Sequence, residues 1–125
     1  AVDTENRDAG LAAKMGPGWY NRNGHVAGVA LAWNGGSNYF PIAHPETSNQ
    51  FEHDNIKRWF LDHQRAGCRF VFHNGPYDVG WLDADLGVPP PPEGQIDDTV
   101  AMATIVDENR YSYELDTLCK IYGLP

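Results

Sequence analysis

Apolar positions along the chain fall into short runs separated by turn residues, and the period within each run predicts its element. AVDTE, residues 1–5, passes from two apolar residues to a carboxylate pair, as at the end of a strand. Residues 6–24 carry Gly16-Pro17-Gly18 and Asn23-Gly24 among Asn and Arg, which predicts a loop leading into a hairpin. VAGVALAW (26–33) and NYFPIA (38–43) flank Asn34-Gly35-Gly36, a spacing that fits two strands about a Gly-rich turn.

Beyond the hairpin the period becomes helical. Ile56, Trp59, Phe60 and His63 recur on one helical face, predicting an amphipathic helix capped by Ser48 and Asn49 and ended by Gly67. RFVFH (69–73) reads as a short apolar strand, and Asn74-Gly75-Pro76 turns it into a helix bearing Asp78, Leu82 and Leu86. Pro89 to Pro92 form a stiff connector. Asp97 and Asp98 then lead into a helical TVAMATIV, and Ser112 caps a last helix carrying Leu115, Leu118, Cys119 and Tyr122 before Gly123 and Pro125. Strands first, then alternating strand and helix, give an α/β or α+β sheet with helices against it.

With 125 residues and 42% hydrophobic content, the chain suits one globular domain. No apolar run reaches membrane-spanning length and the N-terminal residues lack signal-peptide character, so a cytoplasmic protein without a membrane partner is expected. Nine Lys and Arg against 17 Asp and Glu give a net charge of −8, opposite to the basic footprint of most nucleic-acid binders. Clustered acids are also what a divalent-cation site is made from, so charge alone does not decide the partner. Lys14, Arg22, Arg58, Arg65 and Arg69 are too scattered for a basic stripe. Cys68 and Cys119 match neither a disulfide framework nor zinc-finger spacing and are expected as buried thiols.

Two short segments carry candidate chemistry. In Asp3-Thr4-Glu5, alternate strand residues share a face, so two carboxylates converge and call for a cation. In Phe72-His73-Asn74-Gly75-Pro76-Tyr77-Asp78, a strand delivers Asn74, Tyr77 and Asp78 into a turn and a helix start. Each has a plain structural reading as well, a solvated strand end and a helix cap. Taken together they offer three carboxylates to one cleft. Asp97, Asp98 and Asp116 read as helix-start acids, His44 and the Trp residues as packing, and Arg110, Tyr111 and Tyr113 as an exposed loop cluster that could stack on a nucleotide.

On these residues the chain resembles the 3′-to-5′ proofreading exonuclease domain of family A DNA polymerases, in the ribonuclease H-like DEDD superfamily. The family's D-x-E matches Asp3 and Glu5, and its N-x-x-(Y/F)-D matches Asn74, Tyr77 and Asp78. GHVAGVALAW with YFPIAH, IDDTVAMATIV, and YELDTLCKIYGL are similar to further family segments in the same order, so the resemblance spans nearly the whole chain.

The resemblance implies a ribonuclease H-like mixed β-sheet flanked by helices. It also implies two Mg²⁺ or Mn²⁺ ions on Asp3, Glu5 and Asp78, Tyr77 beside Asp78, and Thr4 and Asn74 toward substrate. The implied partners are a single-stranded DNA 3′ end and a polymerase domain in the parent polypeptide.

The family's third motif, Y-x-x-x-D or H-x-x-x-x-D, has no counterpart downstream of L-D-x-L; His73 and Asp78 satisfy the latter spacing only inside motif two. The 125 residues therefore read as an incomplete domain, short of one carboxylate and impaired alone. The alternatives are a non-catalytic nucleic-acid-binding module on the same fold, or a DEDD exonuclease acting on RNA.

Overall fold

The computed structural model describes residues 1–48 and 51–125. It is mixed α/β. Strand β1 (Val2–Asp8) leads into a short helix α1 (Ala9–Ala12), followed by the hairpin β2 (Gly24–Trp33) and β3 (Gly36–Pro41). Helix α2 (His53–Arg65), strand β4 (Phe70–Phe72) and helix α3 (Gly75–Leu86) come next, then strand β5 (Ile96–Asp98) and helices α4 (Thr99–Val106) and α5 (Leu115–Tyr122). β1, β2 and β3 form an antiparallel sheet with β2 central, β4 and β5 form a parallel pair, and β4 packs alongside β1.

β1 runs three residues further than the opening acids suggested, because Asn6, Arg7 and Asp8 still pair with Val26, His25 and Gly24. The register slips between Glu5 and Asn6, leaving Ala27 as an extra residue on β2. Its backbone is fully used: the Ala27 carbonyl accepts the N–H groups of Ile42 and Ala43, both at 2.9 Å. The Val26 N–H donates to the Asp85 carboxylate of α3 at 2.8 Å. Gly24 is required where β2 begins, since its φ is +145° and a Cβ there would lie 2.0 Å from the Arg7 carbonyl oxygen.

Helix boundaries depart from expectation at two starts. α2 follows Glu52, which makes no side-chain cap bond, and so begins four residues later than a helix capped by Ser48; the other expected cap, Asn49, lies outside the described residues. α5 is preceded by Glu114, and Ser112 accepts the Glu114 N–H at 3.2 Å instead of capping the helix. Neither start needs a side-chain cap, because each helix is held by its apolar stripe, which buries Ile56 and Phe60 in α2 and Leu118 in α5. β5 is an element the composition concealed, three residues with no alternating pattern.

The core is one cluster between the β1–β3 sheet, β4 and the helices α2 and α3, with Trp81, Phe60, Phe72, Val26 and Val29 almost fully enclosed. The proline connector is tied to α2 where Gln64 donates to the Pro89 carbonyl at 2.9 Å. Trp59 and Trp19 also pack on the core, whereas Trp33 is exposed. Cys68 and Cys119 are half-buried free thiols, because their strand-edge and helix-flank positions leave one side open. Among the described residues, no helix is long and apolar enough to cross a membrane.

Trp81→Ala removes the largest enclosed side chain and should cost about 3–5 kcal/mol, read as a lower urea midpoint with little change in slope.

Candidate functional site

The two motifs meet through the middle residue of the first. Along β1 the side chains alternate, with Val2 and Thr4 buried and Asp3 and Glu5 exposed. Asp78, in the first turn of α3, is buried and faces Thr4. The Thr4 N–H donates to Asp78 Oδ1 at 2.9 Å and the Thr4 hydroxyl to the same oxygen at 2.6 Å. Asn6 Nδ2 donates to Thr4 Oγ1 at 2.7 Å and to the Thr4 carbonyl at 3.0 Å, which fixes the hydroxyl's direction. Both bonds to Asp78 fall on Oδ1, so Oδ2 has no protein hydrogen-bond partner among the described residues.

Burial pushes the Asp78 carboxyl above the ordinary range; the Thr4 bonds pull it down, and the negative charge of Asp3 pushes it up again. Asp3 is thus within electrostatic reach of Asp78. Glu5 acts on Tyr39, whose phenol is raised first by burial and then by the Glu5 charge. Among the described residues, no three His, Cys, Asp or Glu side chains are gathered as a metal-holding group. The structure brings Asp78 into contact with Thr4, and Asp3 into its field, while Glu5 lies toward Tyr39.

Tyr77 stays within electrostatic reach of Asp78 but gives its hydrogen bond elsewhere. The Tyr77 hydroxyl donates to Asp8 Oδ2 at 3.0 Å, at the far end of β1. Asp8 also accepts from Leu11 N at 2.8 Å and Gly18 N at 2.9 Å. Burial opposes its charge, but these donors together hold its carboxyl below the usual value. Asn74 sits left-handed before α3, with φ 68° and ψ 52°, and is exposed. Asp97 pairs with Arg69 across β4 and β5, Nε to Oδ2 at 2.8 Å. Arg110 lies over the Tyr122 ring, and the Tyr113 hydroxyl donates to the Asp107 carbonyl, while Tyr111 is fully exposed.

A cleft of about 630 Å³ opens beside Asp3, lined among others by Ala30, Asn38, Tyr39, His73 and Thr99; neither Glu5 nor Asp78 lines it. Gly28 makes room for it: a Cβ there would lie 2.1 Å from the Tyr39 hydroxyl. A second cleft of about 520 Å³, bounded by Trp33, Trp59, His63 and Arg69, contains no carboxylate and is not the candidate. Sequence reading missed His73, Thr99 and Tyr39. The Thr99 hydroxyl has one proton and lies 2.8 Å from His73 Nδ1 and 3.1 Å from the Phe72 carbonyl. Both contacts are hydrogen bonds at once only when Nδ1 carries the ring proton, the tautomer that satisfies the most partners.

The oxygen donors Asp3, Glu5 and Asp78 suit a hard divalent cation in kind, and the repulsion between Asp3 and Asp78 is of the sort a cation relieves.

Because folding raises the Asp78 carboxyl, its contribution to stability is fully present below the unfolded value of 3.8 and is lost as pH rises through the folded value. Asp78→Asn keeps an oxygen for Thr4 without the charge. It should be more stable than the parent by about 1 kcal/mol near neutral pH, with a flatter pH dependence in denaturant titrations. For His73, nitrogen NMR at a pH where the ring is neutral should report the proton on Nδ1, and Thr99→Val should abolish that preference.

Compared with known proteins, the chain matches no protein-family model and no curated sequence.

Proposed function

We propose that this chain belongs to a metal-dependent 3′-to-5′ exonuclease domain of the DEDD type, acting on single-stranded DNA ends. The observation that carries the reading is the pair of hydrogen bonds from Thr4 to Asp78 Oδ1, which joins the D-x-E strand to the N-x-x-Y-D helix. Strand order supports it: an antiparallel β3-β2-β1 sheet with β4 beside β1 and β5 parallel to β4 has the mixed character of a ribonuclease H-like sheet.

Asp3 and Asp78, which lie within electrostatic reach of each other, would hold Mg²⁺ or Mn²⁺, with Glu5 turned toward Tyr39. Such ions supply a water-derived nucleophile and stabilise the leaving oxygen. The chain's own residues do the positioning. Thr4 anchors one oxygen of Asp78 and leaves Oδ2 for a ligand, and Asn6 keeps the Thr4 hydroxyl from turning away. Tyr39, Asn38 and His73 wall the cleft in which the strand end would lie, and Asn74 stands exposed at the head of α3 to meet its backbone. Aromatic and polar walls such as Tyr39, Asn38 and His73 suit an unpaired strand end, as proofreading for a polymerase domain in the same polypeptide would need. The net charge of −8 opposes DNA approach, so binding should depend on divalent ions.

The test is stepwise release of mononucleotides from a 3′-labelled single-stranded oligonucleotide with Mn²⁺, for this chain and for a form extended downstream of Pro125. Cleavage should require the metal and be stronger in the extended form. Asp3→Ala should lower it at least about 100-fold with strand binding retained. Undiminished cleavage by Asp3→Ala sinks the reading, and binding without any cleavage favours a non-catalytic module. An RNA oligonucleotide of the same sequence decides the sugar preference.

A further inference from the structure

Asp98 stands where β5 passes into α4, and its single carboxylate serves two helices. Oδ1 accepts the Val100 N–H at 2.9 Å, the capping bond of α4. The same oxygen accepts the Asn74 N–H at 3.2 Å, and Oδ2 accepts the Gly75 N–H at 2.9 Å. α3 has no capping side chain of its own: Asn74 is left-handed and makes no side-chain cap bond. The first N–H groups of a helix need an acceptor, and an anion there is also favoured by the helix dipole. A residue 23 positions downstream of Gly75 therefore supplies what the local sequence lacks.

The neighbouring residue grips the same turn. The Thr99 hydroxyl reaches the Phe72 carbonyl at 3.1 Å and His73 Nδ1 at 2.8 Å. Two consecutive residues thus hold Phe72 through Gly75, the whole passage from β4 into α3. Asp78 lies three residues beyond Gly75, in the first turn, so the direction of that turn decides whether its carboxylate meets Thr4. Small displacements of a reacting group carry large rate costs.

We propose that Asp98 is a positioning residue for Asp78: by capping α3 from outside, it aims the buried carboxylate at Thr4 and so sets which of its oxygens Thr4 holds. The catalytic consequence rests on the exonuclease reading; the aiming itself does not.

The test uses Asp98→Ala and Asp98→Asn. Asn keeps the acceptor for Val100 and Asn74 but sets an amide against the Gly75 N–H. In the 125-residue chain, the amide resonance of Thr4 and the titration of Asp78 should both move in Asp98→Ala and move less in Asp98→Asn. In the extended form, cleavage should lose about tenfold or more in kcat for Asp98→Ala, with KM nearly unchanged and partial recovery in Asp98→Asn. If Asp98→Ala does not fold, Asp98→Asn alone decides, by the same two signals. Unmoved Thr4 and Asp78 signals in a folded variant overturn the proposal. Absence of cleavage by the parent protein sinks the exonuclease reading instead, and the Thr4 and Asp78 signals still judge the role of Asp98.

Discussion

Everything at the candidate site depends on one oxygen, Asp78 Oδ1, and the two protons Thr4 gives it. A buried carboxylate is unfavourable unless its charge is met by donors. Here the donors come from a strand at the opposite end of the sequence, so the interaction that makes the acid tolerable also closes the fold. It also distinguishes the two oxygens, since both Thr4 bonds fall on Oδ1. Thr4, the unspecified middle position of a D-x-E motif, is consequently the residue that touches the second motif.

The same device recurs through the molecule. Asp8 gathers Leu11, Gly18 and the Tyr77 hydroxyl; Asp85 takes the Val26 N–H beside the bulge; Asp98 takes three backbone N–H groups from two segments. These three carboxylates are structural, each accepting from amides that a short helix or a slipped strand leaves unpaired. That part of the acid content is internal wiring and not surface charge.

That wiring marks the limit of what the sequence disclosed. The hairpin, α2, β4, α3 and α4 were legible because each has a hydrophobic period or a turn residue of its own. Asp98 was legible as the cap of the helix it precedes, but its hold on Asn74 and Gly75 belongs to the pairing of β4 with β5, and β5 is too short to announce itself. The convergence of Asp78 on β1 was foreseen; that Thr4 would receive it was not, because alternation assigns Thr4 to the buried face without saying what lies there. The Tyr77 hydrogen bond was missed for a related reason: its acceptor Asp8 belongs to a stretch of β1 that reads as loop until its pairing with β2 is seen.

The extra residue at Ala27 has a bearing on how this chain can change length. Val29 and Leu31 point inward at the usual spacing of two, yet Val26, three positions before Val29, also faces the core. The bulge is a parity switch, and it lets both halves of β2 present their valines to the same side. Deleting Ala27 alone would leave Val26 two positions before Val29, on the same face by ordinary alternation, while a deletion of two would turn His25 inward and Val26 toward water. A loss of one residue here is therefore tolerable where a loss of two is not.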